Sequence, residues 1–431
     1  MTRNDFDRTR TPDPVARAFQ ARITDLHKAI PTLCLILLVV AGAAAQQLRF
    51  DDVVRNLRNP DPEARMTALA LLREAKHLEA IEPIAPLVND PLDGIQLAAI
   101  ETELSFYLVD DVPSRRRVAF IVEVRNAGKA EAAFAAGPLA VWPRPVPAVL
   151  LTNLLTAVDD QNQKVRIEAL YTLGTIAQAP LGDVHVAGLI NALDHYDPAI
   201  RAGAARVIGR LQVKQAGEPL IKTVNDSQAL VRFAAMRALG EIGETAAIQA
   251  LSQQLEHYRK GEGAWSALDA LARIGHPSSV PLFTARLTDR DPFMRRAAIE
   301  GLARANDLSA VHALESGLGT DASEAVRAAI AFALQKLGRH QVGRLANALH
   351  SDRTAPQIAG YFLELGPSVA QELAPHLKDP SDAIRGNVAL ILGAIGGTGE
   401  SAALQPLLQD RSPDVRRAAE RAIERIKLRG A

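Results

Sequence analysis

The sequence predicts an all-α fold: an α/α superhelical solenoid of about ten helix pairs, with one small irregular or β insertion. Three observations carry this: an internal period near 31 residues, an apolar stripe at helical spacing in each period, and a core made of small aliphatic residues. Hydrophobic residues make up 48% of the 431, yet aromatics only 4%. The apolar mass is therefore Ala, Leu, Val and Ile, which suits helices packed at close, regular spacing, whereas irregular cores are anchored by large aromatics. A chain of this length exceeds one ordinary core and is either a set of domains or a repeat array. The period favours the array.

The first element in order is an expected export signal over residues 1–45. Lys28, with Arg22 further back, precedes the uncharged run from Leu33 to Val40. Ala41-Gly42-Ala43-Ala44-Ala45 then fits a cleavage site after Ala45. The apolar stretch from Leu33 to Ala45 is about 13 residues, short of the roughly 20 that span a bilayer. The expected location is periplasmic or secreted, and the alternative is a membrane anchor formed by the uncleaved N-terminal segment. The region ahead of the apolar run is long for a signal and holds Pro12, Pro14 and both charge signs, so a downstream start stays open. The single cysteine, Cys34, lies in this stretch. A processed chain has no thiol, which excludes an internal disulfide, thiol catalysis and a Cys-based zinc site.

Residues 46–104 are read as the first repeats, 105–147 as an insertion, and 148–431 as the main array with a polar C-terminal cap. Each repeat announces itself by a polar turn, an aliphatic residue and an arginine. Examples are Asp197-Pro198-Ala199-Ile200-Arg201, Asp291-Pro292-Phe293-Met294-Arg295, Asp382-Ala383-Ile384-Arg385 and Ser412-Pro413-Asp414-Val415-Arg416. An Ala-rich amphipathic stretch follows. Around Arg232, the residues Val231, Ala234, Ala235, Ala238, Leu239 and Ile242 share one helical face, and Gly243 ends the helix. The stretches close on a signature such as Leu173-Gly174-Thr175-Ile176, Leu239-Gly240-Glu241-Ile242 or Leu392-Gly393-Ala394-Ile395. A shorter helix, Ala216 to Val224 in this unit, precedes the turn, so each unit is a first helix, a turn and a second helix.

These residues resemble the HEAT-like repeats of phycobilisome lyase subunits. The resemblance rests on the turn, the Val/Ile-Arg pair and the Leu-Gly-x-Ile end, over roughly residues 50–104 and 146–431. Second helices are expected to start near Arg65, Gln96, Arg166, Arg201, Arg232, Ala264, Arg295, Arg327, Ala355, Arg385 and Arg416. The recurring arginine has two readings: a structural ladder in which each one reaches the turn acid of a neighbouring unit, or an anion-binding stripe. The last unit, with Arg416, Arg417, Glu420, Arg421, Glu424, Arg425 and Lys427, reads as a solvated cap.

The insertion breaks the period. Val118 to Val124 has strand-like β-branched density, Asn126-Ala127-Gly128 is a turn signal, and Val141-Trp142-Pro143-Arg144-Pro145 is extended chain. It either covers a repeat edge or serves as a docking element.

Little in the sequence carries catalytic chemistry, and neither a catalytic residue nor a cofactor or metal is expected. Gly396-Gly397-Thr398-Gly399 lacks the lysine of a phosphate loop. The sequence contains no His-Glu dipeptide. Deoxyhypusine hydroxylase, an enzymatic HEAT family, uses paired His-Glu steps to bind iron. Charge is balanced, with 49 basic and 49 acidic residues, so nucleic acid is not an expected partner.

The outward row of the second helices is more informative. The residue after each ladder arginine and the one four further on point away from the apolar stripe. This row nominates Tyr171, Phe233, Arg237, Trp265, Asp269, Arg296 and Phe332 as protein-binding residues, because in HEAT-like arrays the second helix resembles the lining of a concave surface. Phe233 and Trp265 are expected to be neighbours there, either as interface anchors flanked by arginine or as gap-fillers between helices. The sequence thus predicts a non-catalytic exported scaffold for other proteins or peptides. The alternative is an accessory subunit of a lyase or protein-modifying enzyme, as the phycobilin lyase resemblance implies.

Overall fold

The computed structural model describes residues 50–109 and 139–430. The export signal over 1–45 and the strand expected over Val118–Val124 lie outside these residues. Two compact units divide the chain, residues 1–72 and 73–431. In the first, helix α1 (residues 50–56) leads into α2 (Pro62–Ala75), which runs across the division.

The second unit is an array of helix pairs. Its first helices are short: α3 (Ile81–Ile84), α5 (Ala148–Ala157), α7 (Asp183–Asn191), α9 (Gly217–Thr223), α11 (Ile248–Tyr258), α13 (Val280–Thr284), α15 (Val311–Gly317), α17 (Val342–Asn347), α19 (Ala370–Leu373) and α21 (Thr398–Leu404). Its second helices are longer: α4 (Asp93–Tyr107), α6 (Gln163–Ile176), α8 (Pro198–Arg210), α10 (Ala229–Ile242), α12 (Gly261–Ile274), α14 (Pro292–Arg304), α16 (Glu324–Lys336), α18 (Ala355–Leu365), α20 (Asp382–Ile395) and α22 (Pro413–Gly430). With α2, these include every position at which the sequence places a second helix.

Local chemistry explains the starts. Asp197 and Asp291 are N-caps followed by proline at the first helical position, and their side chains accept the amides of Ala199 and Phe293, both at 2.9 Å. The recurring glycine explains the spacing. A Cβ on Gly240 would lie 2.6 Å from the Cα of Ala270, and one on Gly393 would lie 2.6 Å from the Cα of Ala422. Glycine lets α10 touch the backbone of α12, and α20 that of α22. Gly240→Ala is therefore expected to destabilise the array: overpacking costs about 1–3 kcal/mol, more than the roughly 1 kcal/mol of helix propensity gained. A lowered midpoint in urea unfolding checks this.

The arginine ladder has the structural role. Arg201 donates through Nη1 to the carbonyls of His195 and Tyr196 in its own turn, and through Nε and Nη2 to both carboxylate oxygens of Asp226 in the next, at 2.8 and 3.0 Å. Arg295 repeats the pattern with Asp321 and Arg385 with Asp410. Arg166 reaches Asp197 at 2.7 Å. The acid is not idle either: Asp226 and Asp410 each also accept an amide of their own turn. Fork-shaped arginine meets planar carboxylate in two parallel bonds, so register passes from unit to unit.

Two features depart from the sequence reading. The helix α4 continues to Tyr107, and the described margins of the insertion pair: Leu108 and Val141 form an antiparallel bridge, and the Trp142 amide donates to the Tyr107 carbonyl at 2.8 Å. The C-terminal cap is only partly solvated. Arg425 is buried, lies 5.9 Å over the Trp142 ring and donates to the Leu139 carbonyl at 3.1 Å. Burial, with a smaller contribution from Arg429, lowers its pKa to about 10. Arg429 itself caps the end of α20 at the Gly393 and Gly396 carbonyls.

Candidate protein-binding face

The site is built on the outward row of α6 to α18. The ladder and the Leu-Gly contacts hold these helices side by side, so equivalent positions line up across the array. In α8 to α14 the row is charged, with Arg206, Arg237, Glu241, Asp269, Arg273, Arg296, Glu300 and Arg304 in succession.

Three of the nominated residues come together here. Asp269 pairs with Arg273 at 2.8 Å. Burial pushes the Asp269 carboxyl up, but the cations of Arg273, Arg296 and Arg237 outweigh it and hold the group well below the usual carboxylate range. Next to it, burial raises Glu241, and Arg273 and Arg237 only partly offset this. Arg237, Asp269 and Arg296 thus belong to one mixed-charge ribbon. It continues through Glu300, which faces Arg296 at 3.6 Å and Arg304 at 3.3 Å.

Tyr171 and Phe332 require correction. Both are buried, at 1% and 0% exposure, and present no surface. The physical reason for Phe332 lies in the neighbouring helices. Arg304 of α14 reaches past α16 to Glu364 of α18 at 2.8 Å, and the Tyr361 hydroxyl of α18 donates to Glu300 of α14. Phe332 of α16 lies beneath this bridge, stacked on Tyr361 at 4.2 Å and 11°. Two helices that flank a third meet over its outward row, so the layer bends towards that side. Near Tyr171, Arg210 of α8 reaches back to the last carbonyls of α6, those of Gly174 and Thr175.

Phe233 and Trp265 find different neighbours from those expected. Phe233 meets Tyr258 edge-on at 5.5 Å, and Trp265 stacks on Phe293 at 4.8 Å. Trp265 also stands in for a missing arginine: its indole N–H donates to Asp291 at 2.6 Å, in a unit whose ladder position is Ala264. Both are half-buried. The sequence reading passed over Tyr258, Phe293, Tyr361 and Glu364. Phe293 had a legible signal, since it sits two residues before Arg295 at the exposed start of α14. Tyr361 and Glu364 had none, because they act across two units.

A family model for HEAT repeats matches residues 186–262, 250–335 and 352–424. The chain belongs to the HEAT-repeat family. Among curated relatives, the uncharacterized phycocyanin operon protein Z of Pseudanabaena tenuis is 25% identical over 167 residues, 36% of this chain and 80% of that protein. Among solved structures, an engineered protein is 19% identical with a TM-score of 0.39, over 88% of this chain and 98% of that one. Human deoxyhypusine hydroxylase in complex with glycerol is 22% identical with a TM-score of 0.28, over 64% and 96%. Importin beta is 16% identical with a TM-score of 0.41, over 88% and 57%. Among the described residues of this HEAT array, no group of three or more His, Cys, Asp or Glu is placed to hold a metal ion, and no helix is long and apolar enough to cross a membrane.

Proposed function

We propose that this HEAT array is an exported, non-catalytic scaffold that binds another protein through the concave side formed by its second helices. The observation that carries the reading is the ribbon of Arg237, Asp269, Arg296 and Glu300. Its charges alternate and are already held in place by one another, so a partner of matching pattern meets a pre-ordered surface and loses little side-chain freedom. The test is capture of the full chain, tagged at its C-terminus, from the exported fraction of its native host. The expected result is one stoichiometric protein. An empty capture, with the bait folded and helical, contradicts the reading.

A second reading follows from the phycocyanin operon relative: an accessory subunit of a lyase or other protein-modifying enzyme. Visible tetrapyrrole absorbance copurifying with the chain supports this reading over the first.

A further inference from the structure

We infer that the helix pairs of the 73–431 unit close into a ring, clasped by Trp142 on Arg425, whose interior admits a partner as a single helix or extended segment and excludes folded domains. The closure stands on its own geometry, while the partner class rests on the proposed binding through the second-helix side.

The two ends of the array share one residue. At the first end, the Trp142 amide donates to the carbonyl of Tyr107, the last residue of α4, at 2.8 Å. Arg144 strengthens this hold: its Nη1 donates to the Phe106 carbonyl, and its own carbonyl accepts Gln178 at the end of α6, both at 2.8 Å. At the other end, Arg425 of α22 lies 5.9 Å over the Trp142 ring and donates to the Leu139 carbonyl, 286 positions away in the chain. The first and last of the ten second helices are α4 and α22. Both reach Trp142, so the layer returns on itself.

The contact also fixes the side and the level of closure. Arg425 stands nine residues after the ladder position Arg416, as Arg210, Arg273 and Arg304 stand after theirs. It therefore belongs to the row towards which the layer bends. Tyr107 stands eleven residues after Gln96. The ends meet within about 3 Å of the same height along their helices, so the layer returns level instead of rising as an open superhelix. A terminal repeat of an open array turns a polar face to water, whereas Arg425 on the last helix is 6% exposed. A guanidinium is buried at a cost unless it is bonded, and the Leu139 carbonyl and the Trp142 ring supply that compensation.

Size follows from helix packing. Neighbouring helix axes lie about 8–10 Å apart, so ten of them trace a ring about 80–100 Å round and about 25–30 Å across. Taking off about 10 Å for the thickness of a helix leaves an opening of about 15–20 Å. One helix, about 10 Å thick, passes. A folded domain of about 100 residues has a radius of gyration of about 13 Å and spans about 30 Å, so it does not pass. The ribbon of Arg237, Asp269, Arg296 and Glu300 lines this opening, and a segment inside it meets ordered charges of both signs.

The test gives the full chain, with its one cysteine removed by Cys34→Ser, a single new thiol. Gly360→Cys places it inside: Gly360 is exposed, stands five residues after Ala355 on the concave row of α18, and a Cβ there meets nothing within 4 Å. Gln253→Cys places it outside, on the first helix α11. Each is labelled with a maleimide on a short unstructured peptide, and with one attached directly to the surface of a folded domain of about 100 residues. The peptide is expected to label both positions at similar rates, and the folded domain to label position 360 about tenfold or more slower than position 253. Adding Arg425→Ala is expected to undo the clasp and raise the folded domain's rate at 360. Closure is read directly from spin labels on Ala148→Cys and Lys427→Cys, with Arg425 intact. Ala148 follows Trp142 by six residues, at most about 21 Å of chain, so a narrow distance under about 40 Å is expected. Equal folded-domain rates at 360 and 253, exclusion of the peptide from 360, a folded-domain rate that Arg425→Ala leaves unchanged, or a long and broad spin–spin distance overturns the proposal. An empty capture from the native host beside the expected labelling would remove the binding reading and leave the ring standing.

Discussion

Arg385→Ala is expected to lower the stability of the 73–431 unit by about 3–5 kcal/mol, the range for breaking a buried ion pair by removing one partner. Arg385 is 5% exposed and makes four hydrogen bonds at once: to both oxygens of Asp410, each at 2.8 Å, and to the carbonyls of Asp379 and Pro380. Its loss strands the Asp410 carboxylate, which Arg385 holds below the usual range, and leaves the turn carbonyls uncapped. Arg385→Lys recovers little, because an ammonium lacks the planar fork. Equilibrium urea unfolding measures the loss, and a change under about 1 kcal/mol would mean the ladder is incidental.

The second large effect has the opposite sign. Glu103→Leu is expected to stabilise the protein by about 1–3 kcal/mol, the usual cost of a buried polar group without a partner. Seven residues after the ladder position, other units place Leu173, Ile208, Leu239, Leu302, Leu334 or Leu392, all core residues. In α4 this place is taken by Glu103, 0% exposed, with neither carboxylate oxygen hydrogen-bonded. Burial raises its pKa well above the ordinary value. Its contribution to stability is thus fully present below the unfolded carboxylate pKa, about 4.3, and is lost as pH rises through the raised folded value. The gain from Glu103→Leu should therefore be larger at about pH 7 than at about pH 4. A gain that does not vary with pH would show that Glu103 keeps an ordinary carboxyl pKa in the folded state, with its charge paired or solvated.

These two residues also mark what was legible in the sequence. Arg385 and its equivalents were plain, because a side chain used in every unit recurs at the period. The same regularity revealed the Leu-Gly signature, although the 2.6 Å approach behind it needed coordinates. Glu103 was missed because a single exception within a repeat looks like noise until its burial is known. On the outward row, helical periodicity put Arg237 and Asp269 at equivalent places on adjacent helices, with Arg296 one turn before the next equivalent place, Glu300. It failed at Phe332 because the bend brings Tyr361 and Arg304 over it from flanking helices. That bend is a property of stacking rather than of any one helix. Trp265 was nominated from the same row, and its bond to Asp291 gives it a structural duty in addition to any surface role.

The central claim, that the second-helix side is the binding face, is tested most directly by site-specific photo-crosslinking in the native host. One full-length variant carries the crosslinker at Arg237 on the ribbon. Another carries it at Gln253, exposed on the first helix α11. The account predicts a discrete protein adduct from position 237 and none from 253. Adducts from 253 alone, or equally from both positions, would contradict it.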